Sequence, residues 1–284
     1  MAKAEWQQTT LLVDAAIEIL TAEQPMTVRQ LFYRLVSSGL IPNDRNNYQR
    51  VSRLMTKARG DGRCDFDYIV DRSRPEYRPS VWDDAQEYAE TIKHAYRKDY
   101  CATQPNYVEL WTEKDAIIGC IESVTKELGV TIRVGRGFLS TTKSHQIAQC
   151  FAKINKPITV FYLGDHDPPG RDIESDVRSR VQRYGSGPFK MERLAIFASD
   201  IKRFNLPPLL VKESDSRAAR FLERYSNNCV ELDALPPDEL RRRIRESVTG
   251  LLDLELWNRA VAVEEVERNS ILETVARWPG HASQ

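Results

Sequence analysis

The stretch ITVFYLGDHDPPG (residues 158–170) joins six apolar or β-branched residues to an acidic turn that ends in Pro-Pro-Gly. The apolar part has the length and composition of a buried strand. Similar runs lie at residues 107–111, 130–134 and 194–197, and helical patterns separate them. Strands that alternate with helices predict a mostly parallel sheet with crossover helices, and hence an α/β domain over residues 105–284.

Three acidic residues follow two of these predicted strands. Glu113 comes just after the run at 107–111, and Asp165 and Asp167 follow the run at 158–163. Ligands of parallel α/β sheets lie beyond the carboxyl ends of the strands. Residues two apart in an extended segment face the same way, so Asp165 and Asp167 can share one site while His166 faces elsewhere.

Such a cluster needs a cation. Two carboxylates ~4 Å apart repel by about 4 kcal/mol at an effective dielectric constant of ~20. All-oxygen ligation favours Mg²⁺, with Mn²⁺ as a substitute, over zinc. The alternative interpretation is that residues 164–170 form only a solvated acidic turn.

The N-terminal part has a different pattern. Apolar residues at helical spacing predict a first helix over roughly residues 7–23. Thr27 and Gln30 form a capping-box pattern, which predicts a second helix that starts at Val28 and ends before Gly39. A third helix ending at Gly60 follows, and residues 61–74 can form a short β-hairpin. In the other half of the chain, a late strand is expected at 229–232.

The third helix is basic. Its apolar side is expected to hold Val51, Leu54, Met55 and Ala58, and its outward side Arg50, Arg53, Lys57 and Arg59. Three helices, the last one basic, and then a hairpin are typical of a winged helix. The alternative is a small helical bundle with a solvated charged face.

Charge also distinguishes the two parts. The chain has 41 basic and 41 acidic residues, so it is not a uniformly polycationic protein. Residues 27–79 nevertheless contain eleven Lys or Arg against six Asp or Glu. This local excess predicts that the N-terminal part binds phosphates.

Tyr33 lies on the second predicted helix. At 100° per residue, Leu31, Phe32, Leu35 and Val36 define an apolar arc, and Tyr33 falls about 130° from its centre. Tyr33 is therefore not expected in the core. Arg29, one turn earlier on the same side, could favour a phenolate or hold a phosphate. The alternative is an exposed tyrosine that makes a surface hydrogen bond.

Two motifs resemble a known family. LWTEK (residues 110–114), followed about fifty residues later by GDHDPPG (residues 164–170), resembles the Toprim domain, the Mg²⁺-binding unit of topoisomerases, primases and some nucleases. TVRQLFY (residues 27–33) resembles the motif around the nucleophile of the topoisomerase VI A subunit and its meiotic double-strand-break relatives. The order of the two parts also matches, and the short chain is most similar to the compact mini-A relatives.

The resemblance implies an α/β protein with an N-terminal winged helix (residues 1–80), a helical connector (81–104) and a Toprim domain with C-terminal helices (105–284). It implies that Glu113, Asp165 and Asp167 hold Mg²⁺ and that Tyr33 forms a 5′-phosphotyrosyl link to DNA while Arg29 steadies the phosphate. The expected DNA contacts are Arg50, Arg53, Lys57, Arg59 and Lys114, with Arg136, Lys143 and Arg171 as further candidates near the metal.

The resemblance also implies partners. They are double-stranded DNA, a second copy of the chain in a homodimer whose tyrosine and metal come from different protomers, and a separate GHKL-type ATPase B subunit. With that subunit the chain would belong to an ATP-hydrolysing type II topoisomerase. The chain itself has no GxxxxGK[ST] motif, so ATP-driven strand passage would need the partner.

Two alternative functions remain at this point. One is a Toprim nuclease similar to the effectors of anti-plasmid defence, in which metal-bound water attacks DNA. The other is a DNA-binding scaffold with a vestigial metal site.

Five scattered cysteines without CxxC spacing favour a reducing cytosol without a zinc site, and the apolar runs are shorter than a membrane span. A soluble, cytoplasmic protein is therefore expected, and the resemblance to DNA-cleaving enzymes implies that it is nucleoid-associated.

Overall fold

A computed structural model describes residues 2–71, 79–135, 137, 139–212, 214–225 and 227–276. Within these ranges the chain contains helices and strands in the alternating order expected from the sequence. The helices are α1 (Ala2–Glu23), α2 (Val28–Ser37), α3 (Arg45–Gly60), α4 (Ala85–Ala95), α5 (Ile118–Glu127), α6 (Thr141–Phe151), α7 (Pro168–Arg183), α8 (Ala198–Arg203), α9 (Ala218–Leu222), α10 (Pro237–Thr249) and α11 (Leu254–Ala276). The strands are β1 (Tyr107–Thr112), β2 (Thr131–Val134), β3 (Ile158–Leu163), β4 (Lys190–Ala195), β5 (Leu209–Leu210) and β6 (Asn228–Cys229).

A four-stranded parallel sheet organises the second half of the chain. Its order is β2-β1-β3-β4, and every neighbouring pair is parallel. All six residues of β3 are buried, as expected for a central strand covered on both faces. The prediction of an α/β fold with a parallel sheet is therefore confirmed.

Two strand predictions need correction. β4 begins at Lys190, four residues before the predicted run, because its first four residues pair with β3 although three of them are charged. The late strand expected at 229–232 is a two-residue strand that pairs with β5, and residues 232–234 form a 3₁₀ turn. In both places pairing with a neighbour, rather than local composition, sets the strand bounds.

The N-terminal helices follow the predicted pattern closely. The Thr27 hydroxyl accepts the Gln30 N–H at 3.1 Å, and the Gln30 side chain accepts the Thr27 N–H at 2.9 Å, which is a complete capping box. α3 buries Val51, Met55 and Ala58 and ends at Gly60. Leu54 is only partly buried.

The hairpin predicted for residues 61–74 is wrong for residues 61–71. That part contains a 3₁₀ turn at Phe66–Tyr68 and a single parallel bridge between Met26 and Ile69. The bridge ties the segment to the turn before α2 instead of folding it on itself. Residues 72–74, with Arg72 and Arg74, and also Arg78 lie outside the described residues, and the winged helix remains a prediction.

Two hydrophobic clusters cover the two faces of the sheet. One cluster contains buried residues of α6, α7 and one face of β1 and β3. The other joins buried residues of α1, α2 and α3 to those of α5, α10 and the opposite face of the same strands. The core therefore crosses the boundaries proposed at residues 80 and 104.

Along the described ranges, every helix is too short or too polar to cross a lipid bilayer.

Candidate functional site

The three predicted carboxylates come together at one edge of the sheet. Glu113 directly follows β1, and Asp165 follows the adjacent parallel strand β3. One Glu113 carboxylate oxygen accepts the backbone N–H of Asp165 at 2.8 Å. Asp167 caps α7 and accepts the backbone N–H of Gly170 at 2.7 Å. The structure thus places the three acidic residues at two neighbouring strand ends, and the metal site remains a prediction.

Gly170 permits the first turn of α7 to lie close to the two aspartates that precede it. A Cβ at this position would lie 2.5 Å from the Asp165 carbonyl oxygen and 3.0 Å from an Asp167 carboxylate oxygen. Because such contacts are shorter than van der Waals distances, any other residue would push α7 away from the strand end. The glycine thus fixes the spacing of Asp165 and Asp167.

Burial dominates the electrostatics of the cluster. Burial, together with the negative charges of Asp165 and Asp167, raises the pKa of Glu113 to about 7. Burial also raises the pKa values of Asp165 and Asp167, although Lys114 and backbone N–H groups act in the opposite direction. The carboxylates are therefore under-compensated, which favours a bound cation.

Lys114 supplies part of that compensation. Its ammonium lies 2.6 Å from Asp233, 3.0 Å from Asp165 and 3.4 Å from Glu231. Burial alone would favour the neutral amine, but these carboxylates raise the pKa of Lys114. The side chain is 19% exposed and points into the cluster, so this arrangement differs from the DNA contact expected for Lys114.

The residues fit a hard divalent cation in their chemistry. Among the described residues, no three His, Cys, Asp or Glu side chains are already arranged as a metal site. Glu113, Asp165 and Asp167 nevertheless offer only oxygen donors, and each uses one oxygen for a backbone N–H. They are the residues that would hold Mg²⁺ or Mn²⁺, the cations that prefer such ligands.

Tyr33 lies closer to the core than predicted. The residue is 4% exposed and belongs to the N-terminal cluster, with its ring 5.4 Å from that of Phe32. The expectation that Tyr33 is not a core residue is therefore wrong. α2 packs against α1 and α3 on one side and against residues 232–234 on another, so a single apolar arc underestimates what it buries.

The charges around Glu113, Asp165 and Asp167 act on the Tyr33 hydroxyl. Burial and the charge of Glu231 raise the pKa of Tyr33 to about 12, whereas Arg29 and Lys114 act to lower it. Arg29 donates to Glu231, with 2.9 Å between the nearest atoms, and Glu231 also contacts Lys114. Glu231 thus links the helix of Tyr33 to the carboxylates within one chain.

Two of the four predicted DNA-binding residues of α3 contact other side chains, and the other two are exposed. Arg50 donates to the Thr9 hydroxyl at 3.1 Å, and the Arg59 guanidinium lies 5.5 Å from the centre of the Phe66 ring. Arg53 and Lys57 are exposed and available to solvent. Lys143, near the start of α6, is also exposed, whereas Arg136 lies outside the described residues.

Sequence reasoning missed three residues that support the site. Glu231 and Asp233 complete the contacts of Lys114, and the signal for them was an acidic pair at the end of the strand predicted at 229–232. Arg193 is 9% exposed and donates to the Gly164 carbonyl at 2.6 Å and the Asp165 carbonyl at 3.1 Å. Its guanidinium supports the acidic turn from β4, which chain spacing alone does not reveal.

His166 has a structural role. It is fully buried, pairs with Val230 through backbone hydrogen bonds and packs on Phe221 and Tyr225. Burial and the charges of Arg171 and Arg193 lower the pKa of His166 to about 4. The ring is therefore neutral at pH 7, and Arg171 donates to its Nδ1 atom at 3.1 Å.

No protein-family model matches the chain, and no curated protein matches it. The likeness to Toprim and topoisomerase VI A proteins therefore rests on the quoted motifs and remains a resemblance.

Proposed function

We propose that this chain is a Mg²⁺-dependent enzyme that breaks DNA strands and resembles the A subunit of type IIB topoisomerases. The observation that carries the proposal is the meeting of Glu113, Asp165 and Asp167 at the carboxyl ends of two adjacent parallel strands. A buried acidic cluster of this kind favours a bound divalent cation, and that cation would attract a phosphate to the end of the sheet.

The chain's own residues would divide the work. Glu113, Asp165 and Asp167 hold the cation, which when bound offsets negative charge on the phosphodiester. Arg53 and Lys57 on α3 offer exposed charges for the DNA backbone. Arg29, whose side chain is 51% exposed, lies at the same edge and can hold a phosphate after it releases Glu231.

Tyr33 is the nucleophile in this proposal. Its hydroxyl oxygen would form a bond to phosphorus while the bond from phosphorus to the 3′ oxygen breaks, and the 3′ oxygen would take up a proton. The product is a 5′-phosphotyrosyl link. The supporting observation is that Arg29 and Lys114 act on the phenol from the acidic edge of its own chain. A homodimer and an ATPase partner belong to the proposal only through the family resemblance.

A hydrolytic nuclease is the second candidate. A specific observation favours it, because Tyr33 is almost fully buried and its pKa is raised to about 12. At pH 7 only about one phenol in 10⁵ is ionised at that pKa. A cation held by the same three carboxylates would lower the pKa of a water bound to it, and hydrolysis would not need the buried phenol.

Tyr33→Phe separates the two candidates. The variant removes one hydroxyl from a buried ring and should keep the fold. We expect wild-type protein with Mg²⁺ to leave labelled supercoiled DNA covalently attached to protein in denaturing electrophoresis, and the variant to leave none. The reason is that the adduct needs the phenolic oxygen.

Tyr48→Phe is the matched control, because Tyr48 packs on Phe32 from α3 and lies outside the acidic edge. Strand breaks with free 5′-phosphate ends in Tyr33→Phe would establish the nuclease instead. Undiminished cleavage by Asp165→Asn combined with Asp167→Asn would contradict both candidates.

A further inference from the structure

A large polar cavity lies beside the three candidate metal ligands. Its volume is about 450 Å³, and it lies between α7 and the segment that contains α9. This volume lies in the range of ligand sites. Neither the candidate cation site nor α3 contributes a residue to its lining, so the cavity needs its own explanation.

Positive charge dominates the lining. Among the described lining residues, two acids, Asp172 and Glu174, face a larger set of arginines, and two serine hydroxyls and a glutamine amide add neutral hydrogen-bonding groups. Guanidinium groups bind phosphate through two parallel hydrogen bonds. The arginines are Arg171, Arg178, Arg217, Arg220 and Arg224.

Two of these arginines have close partners among the residues that the structure describes, and the other three do not. Arg217 is held by Asp215 at 2.8 Å, and Arg171 is held by Glu174 and His166. Arg220 comes no closer than 3.8 Å to Asp172. Arg178 and Arg224 are exposed and form no ion pair within the part of the chain that the structure describes. The cavity therefore has guanidinium groups available for an external anion.

The cavity begins next to the candidate metal ligands. Pro168, the residue after Asp167, lines it, and Arg171 lies one turn of α7 further on, a rise of roughly 5 Å. A strand whose phosphate lies at Asp167 would thus pass directly into the arginine cavity.

We infer that this cavity binds the backbone phosphates of the DNA strand that flank the phosphate to be cleaved. The inference rests on the proposed function, and it assigns a phosphate-binding role to Arg178, Arg220 and Arg224. It places a second DNA contact in the α/β half, apart from the basic helix α3.

The aromatic residues of the cavity indicate backbone rather than base recognition. Phe221 is buried against His166, with ring centres 5.2 Å apart. The Tyr225 ring is covered by the Arg171 guanidinium at 4.9 Å and packs on His166 at 5.0 Å. Because neither ring offers a free face for stacking, the cavity should bind DNA without sequence preference.

The test measures binding without cleavage. A fluorescent 20-base-pair duplex is titrated in EDTA with wild type and with Arg220→Glu/Arg224→Glu, and anisotropy is followed at several salt concentrations. We expect the variant to bind about tenfold more weakly or worse, with a salt slope smaller by about 2, because two phosphate contacts are lost. Scrambling the duplex sequence should change neither affinity by more than about twofold.

Lys153→Glu/Lys202→Glu is the matched control, since it makes the same change in net charge at two exposed residues outside the cavity. The control should stay within about twofold of wild type, and thermal unfolding should show that both variants fold. Equal affinities of the two double variants would overturn the inference.

Inorganic pyrophosphate separates DNA from a free phosphate ligand. If pyrophosphate saturates the cavity at micromolar concentration and displaces no duplex, the cavity is a small-anion site and the inference fails. Because these measurements exclude divalent cations, they stand or fall separately from cleavage. An inactive enzyme that still shows the Arg220 and Arg224 effect would sink the proposed function and leave only the binding of DNA phosphates in the cavity.

Discussion

Protonation of Glu113 should control both the stability of the protein and the binding of a cation. Its pKa is raised from 4.5 to about 7 in the folded protein, so the folded state binds more protons than the unfolded state between these values. The stabilising effect of the proton is fully present below about pH 4.5 and is lost as pH rises through 7. The free energy of unfolding of Glu113→Gln should therefore exceed that of wild type by about 2–3 kcal/mol at pH 8, and by about 1 kcal/mol or less at pH 5.

The measurement is urea unfolding in EDTA at both pH values, and Glu246→Gln on the exposed face of α10 is the control. With Mg²⁺ at pH 8, wild type should become more stable than Glu113→Gln. The reason is that the cation binds the wild-type carboxylate, whereas the variant offers it one ligand fewer. If wild type and Glu113→Gln are equally stable at pH 8 without a cation, the charge of Glu113 does not destabilise the folded protein.

The pairing of β1 with β2 depends on a buried ion pair. Glu109 is fully buried and binds the Arg133 guanidinium through two contacts of 2.6 and 2.7 Å, and it also accepts from Tyr107 and Trp111. Arg133→Met would leave a buried carboxylate without its cation. We expect a loss of about 3–5 kcal/mol in the free energy of unfolding, measured by urea titration.

Glu109→Gln/Arg133→Met is the companion variant. It removes both charges, so it should be more stable than Arg133→Met alone. If the double variant is the less stable of the two, the contribution of Arg133 is packing rather than charge.

The sequence predicted those elements whose signals are local. The capping box at Thr27 and Gln30 and the buried strand β3 both depend on neighbours within four residues, and both are present at the predicted positions. The start of β4 and the absence of a hairpin in residues 61–71 depend on partners far along the chain. The acidic site was predictable because parallel strands end at one edge, whereas the roles of Arg193 and Glu231 require the folded positions of β4 and α2.

For the whole molecule, the shared core predicts one cooperative unit. Buried residues of α1, α2 and α3 form one cluster with those of β1, α5 and α10. Arg241 of α10 adds a polar connection, because it donates to the carbonyls of Glu23 at 2.8 Å, Cys120 at 3.0 Å and Pro25 at 3.3 Å. An N-terminal part that was only tethered to the α/β half would lack such links.

Calorimetry of the full chain tests this unit. We expect a single unfolding transition whose calorimetric and van't Hoff enthalpies agree, and Arg241→Gln should lower its midpoint by a few degrees without splitting it. Arg242→Gln is the matched control, because the neighbouring Arg242 bonds only to Glu239 and Glu246 of its own helix among the described residues. Two resolved transitions in wild type would mean that the helices before residue 80 fold independently, and the link between Tyr33 and the carboxylate edge would then have to form by docking rather than within a common core.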